Sequence, residues 1–264
     1  MRISRLAFAL VVCASGLGLC AGAACDSATT AAGAPDAGHD AVPLSDNEAK
    51  LSGKVIRAQT TDEGIAGATI SVADKSVTTN ASGDYEIIVP RNTPYGMTVA
   101  AEGYYKLLEQ ELILKKASLD QGVTNLLPTT TANLLLGLFP ERRADKGIVV
   151  VKVHVRSPCA SEEGATITVA PAGEAKVIYF AGALPDSQQT SVKAGSTFSA
   201  ALYNVDVDVP LSFTVHSPNC QQARFPIDEG DVSYTGNITA EAGEALSYMR
   251  LYLEDRTTDA ATDH

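Results

Sequence analysis

Apolar and polar residues alternate over short runs along most of the chain from about residue 51. In DYEIIV (84–89), Tyr85, Ile87 and Val89 fall on one face and Asp84, Glu86 and Ile88 on the other, because successive side chains of a strand point to opposite sides. GIVVVKVHV (147–155) puts Val149, Val151, Val153 and Val155 on one face and Lys152 and His154 on the other. The same two-residue period runs through LSGKVIR, GIAGATISVA, YGMTVAAEGYY, LLEQELIL, AKVIYFAG, PLSFTVHS and LSYMRLYLE, with Gly, Asn, Ser and Pro between them. This predicts half-buried strands joined by tight turns. Asn80 and Gly83 in NASGD supply the positive φ angles of a hairpin turn. One helical stretch is predicted, TANLLLGLF (131–139), capped by Thr130 or Thr131 and stopped by Pro140. Its leucines are expected to pack between two domains; a partner or membrane contact is the alternative.

The pattern also repeats. GATISV (67–72) returns as GATITV (164–169), and aligning Gly53 with Gly147 and SGDYEIIV with GSTFSAAL keeps the order of the remaining segments. Insertions lengthen the second copy, chiefly around AGALPDSQQTS. A duplicated module is the simplest source of such an echo. The predicted fold class is all-β, two β-sandwich domains in tandem at 50–128 and 147–256, with residues 129–146 as a linker.

The first copy resembles a known family. GKV (53–55), GIAGATISV (64–72), TTNASGDYEI (78–87) and VAAEGY (99–104) are similar, in order and spacing, to the carboxypeptidase regulatory-like domain. The resemblance covers about residues 50–115. It implies a seven-stranded sandwich related to transthyretin, an exported setting and no catalytic site of its own. The second copy resembles the same transthyretin-like, Ig-like sandwich more loosely. In the family an aromatic follows the Gly of the last motif, so Tyr104 is expected in the core. Tyr105 then faces outward, where it could stack on a sugar or peptide.

The N-terminus gives an address. Arg2 and Arg5 precede an apolar run from Leu6 to Leu19 and the small residues AGAA, the layout of a signal peptide over residues 1–24. Cys25 follows Ala23 and Ala24 directly, which resembles a bacterial lipoprotein signal, whose Cys becomes the lipidated first residue. A plain secretory cut after residue 23 is the alternative. Residues 25–49 are rich in Ala, Asp, Ser and Thr without hydrophobic period and are expected to form a disordered tether, with 257–264 a disordered tail. The expected location is the bacterial cell envelope, held by lipid, or else the secreted fraction.

Charge and chemistry narrow the function. The 264 residues carry a formal net charge of −11, which argues against nucleic acid and anionic surfaces. Of five cysteines, Cys13 and Cys20 leave with the leader and Cys25 takes lipid, so Cys159 and Cys220 remain as a pair. VHVRSPC and TVHSPNC are strands that each run through Ser-Pro into one of them. A bond would close a loop of 61 positions, about 4 kcal/mol on the chain-entropy model; a reactive thiol or thiolate metal site is the alternative. His154 and His216 are expected on outward faces as surface residues without a role. Asp206 and Asp208 are expected on one strand face, and Asp228, Glu229 and Asp231 in a turn; neither stretch follows the calcium-loop spacing. No G-x-S-x-G elbow, His-Glu-x-x-His or phosphate-cradling loop occurs.

The sequence therefore reads as a non-catalytic exported scaffold for adhesion or assembly, with no catalytic residue, cofactor or metal assigned. Its expected partners are envelope proteins or extracellular polymers, and the membrane through the anchor. A carbohydrate or small-ligand module and an accessory subunit of a separate hydrolase are the alternatives.

Overall fold

The computed structural model describes residues 44–256; the expected signal peptide, Cys25, most of the tether and the 257–264 tail lie outside the described residues. The first half contains β1 (Glu48–Arg57), β2 (Thr69–Val72), β3 (Lys75–Thr78), β4 (Asp84–Pro90), β5 (Pro94–Ala100), β6 (Lys106–Leu114) and β7 (Ser118–Leu126). A helix, α1 (Thr129–Leu136), follows. The second half contains β8 (Gly147–Val155), β9 (Thr166–Ala170), β10 (Lys176–Ala181), β11 (Leu184–Asp186), β12 (Ala200–Val205) and β13 (Ser212–His216). It ends with β14 (Gln221–Gln222), β15 (Ile227–Glu229), β16 (Val232–Tyr234) and β17 (Ala245–Glu254). The first strand starts inside the stretch expected to be tether, because Ala49 already faces the core.

The first sandwich packs the sheet β4-β1-β7 on β6-β5-β2-β3. Its core takes the predicted face of β4, Tyr85, Ile87 and Val89, together with Leu51, Val55, Ile70, Met97 and Val99. Tyr85 lies so close over β1 that a Cβ at Gly53 would stand 2.8 Å from its hydroxyl oxygen. Gly83 has φ +85°, and a Cβ there would meet the Val55 carbonyl at 2.4 Å; only glycine fits this turn.

The second sandwich repeats the central pairings. β1 pairs antiparallel with β4 and parallel with β7. β8 likewise pairs antiparallel with β12 and parallel with β17. The echoed hexapeptides contribute β2 and β9, each antiparallel to a later strand, β5 and β13 respectively. Val149, Val151 and Val153 of β8 enter a second core with Ile167, Leu202, Phe213, Val215 and Leu251. The copies diverge at one edge: β3 pairs with β2, whereas β10 pairs with β12 and has changed sheets. The insertion AGALPDSQQTS builds β11 beside β10.

The two sandwiches are not separate beads. β17 pairs parallel with β8 on one side and with β6 on the other. One path of hydrogen-bonded strands therefore runs β11-β10-β12-β8-β17-β6-β5-β2-β3 through both halves. Ser247, Met249, Leu251 and Leu253 are buried on one face of β17 and Tyr252 on the other, the burial of a central strand covered on both sides.

The helix departs from its predicted start. Pro128 stands at the N-cap position with no side-chain cap, and Thr130 and Thr131 lie inside the helix. Ala132, Leu136 and Phe139 pack with Tyr105 on Ile148, Ile178, Phe180 and Tyr203 of the second sandwich. Leu134 and Leu138 remain 76% and 50% exposed, so only half of the leucine cluster is packing.

Candidate functional site

β6 is shared by two neighbours. Its N-terminal half pairs with β17 as far as Glu109, opposite Tyr248, and from Leu112 to Leu114 it pairs with β16 instead. The neighbours part at Gln110 and Glu111, and side chains hold the fork. Gln110, fully buried, accepts the Arg250 backbone N–H through Oε1 at 2.9 Å. Glu111 Oε1 accepts from Thr235 Oγ1 at 2.7 Å and Asn237 Nδ2 at 2.9 Å.

Arg250 lies across the fork. Its Nη1 donates to Glu109 Oε2 at 2.9 Å, with the two side chains 20% and 8% exposed. Its guanidinium carbon stands 4.5 Å from the Tyr248 ring centre and 5.0 Å from that of Tyr234, within reach of both π-faces. Burial alone would lower its pKa, but the Glu109 carboxylate and the two tyrosines hold it above the ordinary arginine value. Burial raises the Tyr234 and Tyr248 hydroxyls above the ordinary phenol value.

The stack continues along the sheet. Tyr252 stands 6.3 Å from Tyr234 and 5.1 Å from His154, both rings stacked. Burial, then the charges of Arg250 and Lys152, pull the imidazole pKa down against the opposing Glu162, and Nε2 is buried without a hydrogen-bond partner. His154 is thus on the outward face of β8, as predicted, but is no idle surface residue: the Tyr252 ring stacks on it. His216 is exposed on β13 in the other sheet, so the structure does not bring the two histidines together.

Two clefts meet at this stack and share Glu229, Tyr234 and Arg250. The first, about 430 Å³, lies between Leu119–Gln121 of β7 and the β15–β16 turn, with Leu112 in its wall. The second, about 600 Å³, is lined by His154, Arg156 and Tyr252. At pH 7 the stack offers a fixed cation, opposed by Glu109, with neutral phenols and a neutral imidazole, and Asp120, Arg156, Glu229 and Asp231 stand in the cleft walls. They offer shape, π-faces and charge, which is the chemistry of holding a ligand or a neighbour.

The other sequence-predicted residues divide. Cys159 and Cys220 are bonded, with Cα atoms 5.9 Å apart, and tie the ends of β8 and β13 across the two sheets of the second sandwich. Tyr104 packs against the first core while half-buried. Tyr105 is 2% exposed and donates to Asn133 Oδ1 at 2.7 Å; α1 covers the face expected to be open, so it offers no stacking surface. Asp206 and Asp208 lie beyond the end of β12, and Asp208 has φ +57°, which breaks the expected strand face. Asp206 pairs with Lys146 at 2.7 Å. Asp228, Glu229 and Asp231 do sit at the β15–β16 turn, next to Lys115, Arg156 and Lys116 respectively. Among the described residues no group of three or more His, Cys, Asp or Glu is arranged to hold a metal, and no helix is long and apolar enough to cross a membrane.

The sequence reading missed Arg250, Glu109, Tyr234, Tyr248 and Tyr252. The signal was a charge set among apolar residues inside a strand, Arg250 in LSYMRLYLE and Glu109 in LLEQELIL; charges at such positions are rarely buried without a partner.

Residues 50–121 match the carboxypeptidase regulatory-like domain. The match spans the first sandwich from β1 into β7, including the wall of the first cleft, and this is a non-catalytic kind of domain. No curated protein matches the chain. Among solved structures, the minor pilin GBS52 of Streptococcus agalactiae is 9% identical, with 78% of this chain and 96% of that one covered and a TM-score of 0.22. The major pilin of Streptococcus pyogenes is 11% identical over 80% and 99%, with a TM-score of 0.24. The Bacillus anthracis TIE protein is 10% identical at a TM-score of 0.26; 78% of this chain is covered, but only 34% of the TIE protein. Likeness at this level carries no functional argument.

Proposed function

We propose that this chain is a non-catalytic binding or assembly module of a bacterial cell envelope, exported by its N-terminal signal and lipid-anchored at Cys25. The observation that supports this reading is the double pairing of β17. It fuses a regulatory-like sandwich to a second one through one run of strands and sets the Glu109–Arg250 pair at that junction. Such a body is suited to presenting edges and clefts to neighbours.

The test combines address and contact. Wild-type chain and Cys25→Ser are partitioned between detergent and aqueous phases, and intact cells carrying the wild type are treated with a membrane-impermeant crosslinker. The wild type is expected in the detergent phase, Cys25→Ser in the aqueous phase, and the crosslinker is expected to join the chain repeatedly to the same envelope component. Aqueous partitioning of both forms overturns the anchor. Crosslinking that returns only the uncombined chain overturns the binding role.

A further inference from the structure

β7 occupies in the first sandwich the place that β17 holds in the second, yet among the described residues only one of its edges is paired. Lys50 N–H donates to the Ala117 carbonyl at 2.9 Å, and β1 and β7 run parallel in register from Lys50 and Ser118. In a parallel ladder this turns the peptide groups of Leu119 and Gln121 toward β1 and those of Ser118 and Asp120 away from it. The outward edge borders the first cleft, whose opposite side is Gly230–Val232. Pairing can extend from Ser118 to Gln121, about 13 Å at ~3.3 Å per residue. It stops at Gly122, where φ is +73° and the register with β1 shifts.

We propose that this cleft takes an extended peptide bearing lysine or arginine, which adds to the free edge of β7 as a short strand. The inference rests on the reading of the chain as a binding module and names the partner chemistry. Leu112 and Val232 are 6% and 8% exposed and, with Leu119 and Tyr234, give the cleft apolar walls for side chains on one face of the strand. Asp120, Glu229 and Asp231 line the same cleft and meet cations on the other face. Arg250, the one cation among the described residues of the lining, is already opposed by Glu109. Lys116 and Arg156 approach Asp231 and Glu229, but neither lines this cleft. A second copy of the chain would bring its own three carboxylates against these, so like charge opposes self-pairing at this edge.

The test uses the mature chain and a fluorescent eight-residue peptide alternating lysine and valine, read by anisotropy. Two control peptides carry glutamate for lysine, or N-methyl groups on alternate residues. N-methylation leaves charge and composition unchanged and removes the ladder hydrogen bonds, and it cannot disturb the protein's fold. Loss of two or so hydrogen bonds predicts at least about ten-fold weaker binding of the methylated peptide, and comparable weakening with glutamate. Glu229→Gln/Asp231→Asn is expected to weaken the lysine peptide several-fold.

Equal binding of the methylated and parent peptides overturns the proposal, since that is general attraction of a cation to an acidic protein. So does a chain that sediments as a dimer and becomes monomeric in Asp120→Pro, since the occupant is then a second copy. Absence of binding with Cys25-dependent partitioning and crosslinking intact removes this inference alone; loss of those as well removes the functional reading beneath it.

Discussion

Removing the charge of Glu109 is the sharpest test of the fork. Glu109→Gln keeps the shape of the side chain and leaves Arg250 cationic, four-fifths covered and without its carboxylate. With charge centres about 4 Å apart and an effective dielectric near 20, the lost attraction is about 4 kcal/mol before desolvation is set against it. Breaking one side of a buried pair costs about 3–5 kcal/mol, and the partial exposure of Arg250 places the expected loss near the lower end. Arg250→Met should cost a similar amount, because it also forfeits contacts with two tyrosine faces worth about 0.5–2 kcal/mol. Glu109→Gln/Arg250→Met should cost much less than the two single losses together, leaving a coupling of about 2 kcal/mol or more. The assay is urea unfolding of the four proteins, followed by far-ultraviolet circular dichroism and by tyrosine fluorescence, which nine tyrosines and no tryptophan leave uncluttered. A coupling below about 0.5 kcal/mol, the range of exposed pairs, would refute the account of Arg250 as a buried clamp.

Three further outcomes are expected. Replacing Cys159 and Cys220 together by serine should cost about 4 kcal/mol and lower the melting temperature by roughly 10 °C; thiol titration of the unfolded wild type that finds both sulfurs free would remove the bond. The folded-state pKa of His154 is depressed below 6.5, so its contribution to stability is complete above that pH and is lost as pH falls from 6.5 through the folded value. His154→Phe keeps a ring on Tyr252 and should flatten the decline in unfolding free energy between about pH 6.5 and 5; an unchanged slope would show that His154 is not the titrating group. Gly83→Ala forces a Cβ to 2.4 Å from the Val55 carbonyl at φ +85° and should destabilise by about 2 kcal/mol or more in the same urea assay, whereas a neutral effect would place the turn elsewhere.

Much of the fold was legible because a strand with one face in a core must alternate. Tyr85, Ile87 and Val89 could be assigned inward from spacing alone, and Val149, Val151 and Val153 likewise. The repeat was legible because GATISV and GATITV fill equivalent places. Sheet membership was not legible: β3 and β10 follow the echoed strands in each copy, yet pair in different sheets, a choice that depends on which edge is open after assembly. Tyr105 shows the limit of parity. Its face was read correctly as the one opposite Tyr104, but whether that face meets water depends on where α1 lies. The candidate site failed for the same reason. Glu109 and Arg250 are 141 positions apart, and only the parallel pairing of β17 with β6 brings them into contact.

The two sandwiches also close their free edges in different ways. If every sandwich joined the next as these two do, each would need an open edge on the sheet that continues the array. In the second sandwich that edge belongs to β13, and it is closed by a side chain. Gln222 Oε1 accepts the Val215 N–H at 2.7 Å and its Nε2 donates to the Phe213 carbonyl at 3.2 Å, so one amide stands where a neighbouring strand would bond. β7 is protected differently, by the bulge at Gly122 and by the polar run SLDQGVTN, devices that shorten an edge rather than seal it. β17, built from ALSYMRLYLE, has apolar residues on both faces and is consumed by the junction. β17 is thus paired on both edges at the junction, whereas β7, its counterpart in the first sandwich, keeps a four-residue edge beside an acidic cleft: enough to pair with a short partner and too little to start a sheet.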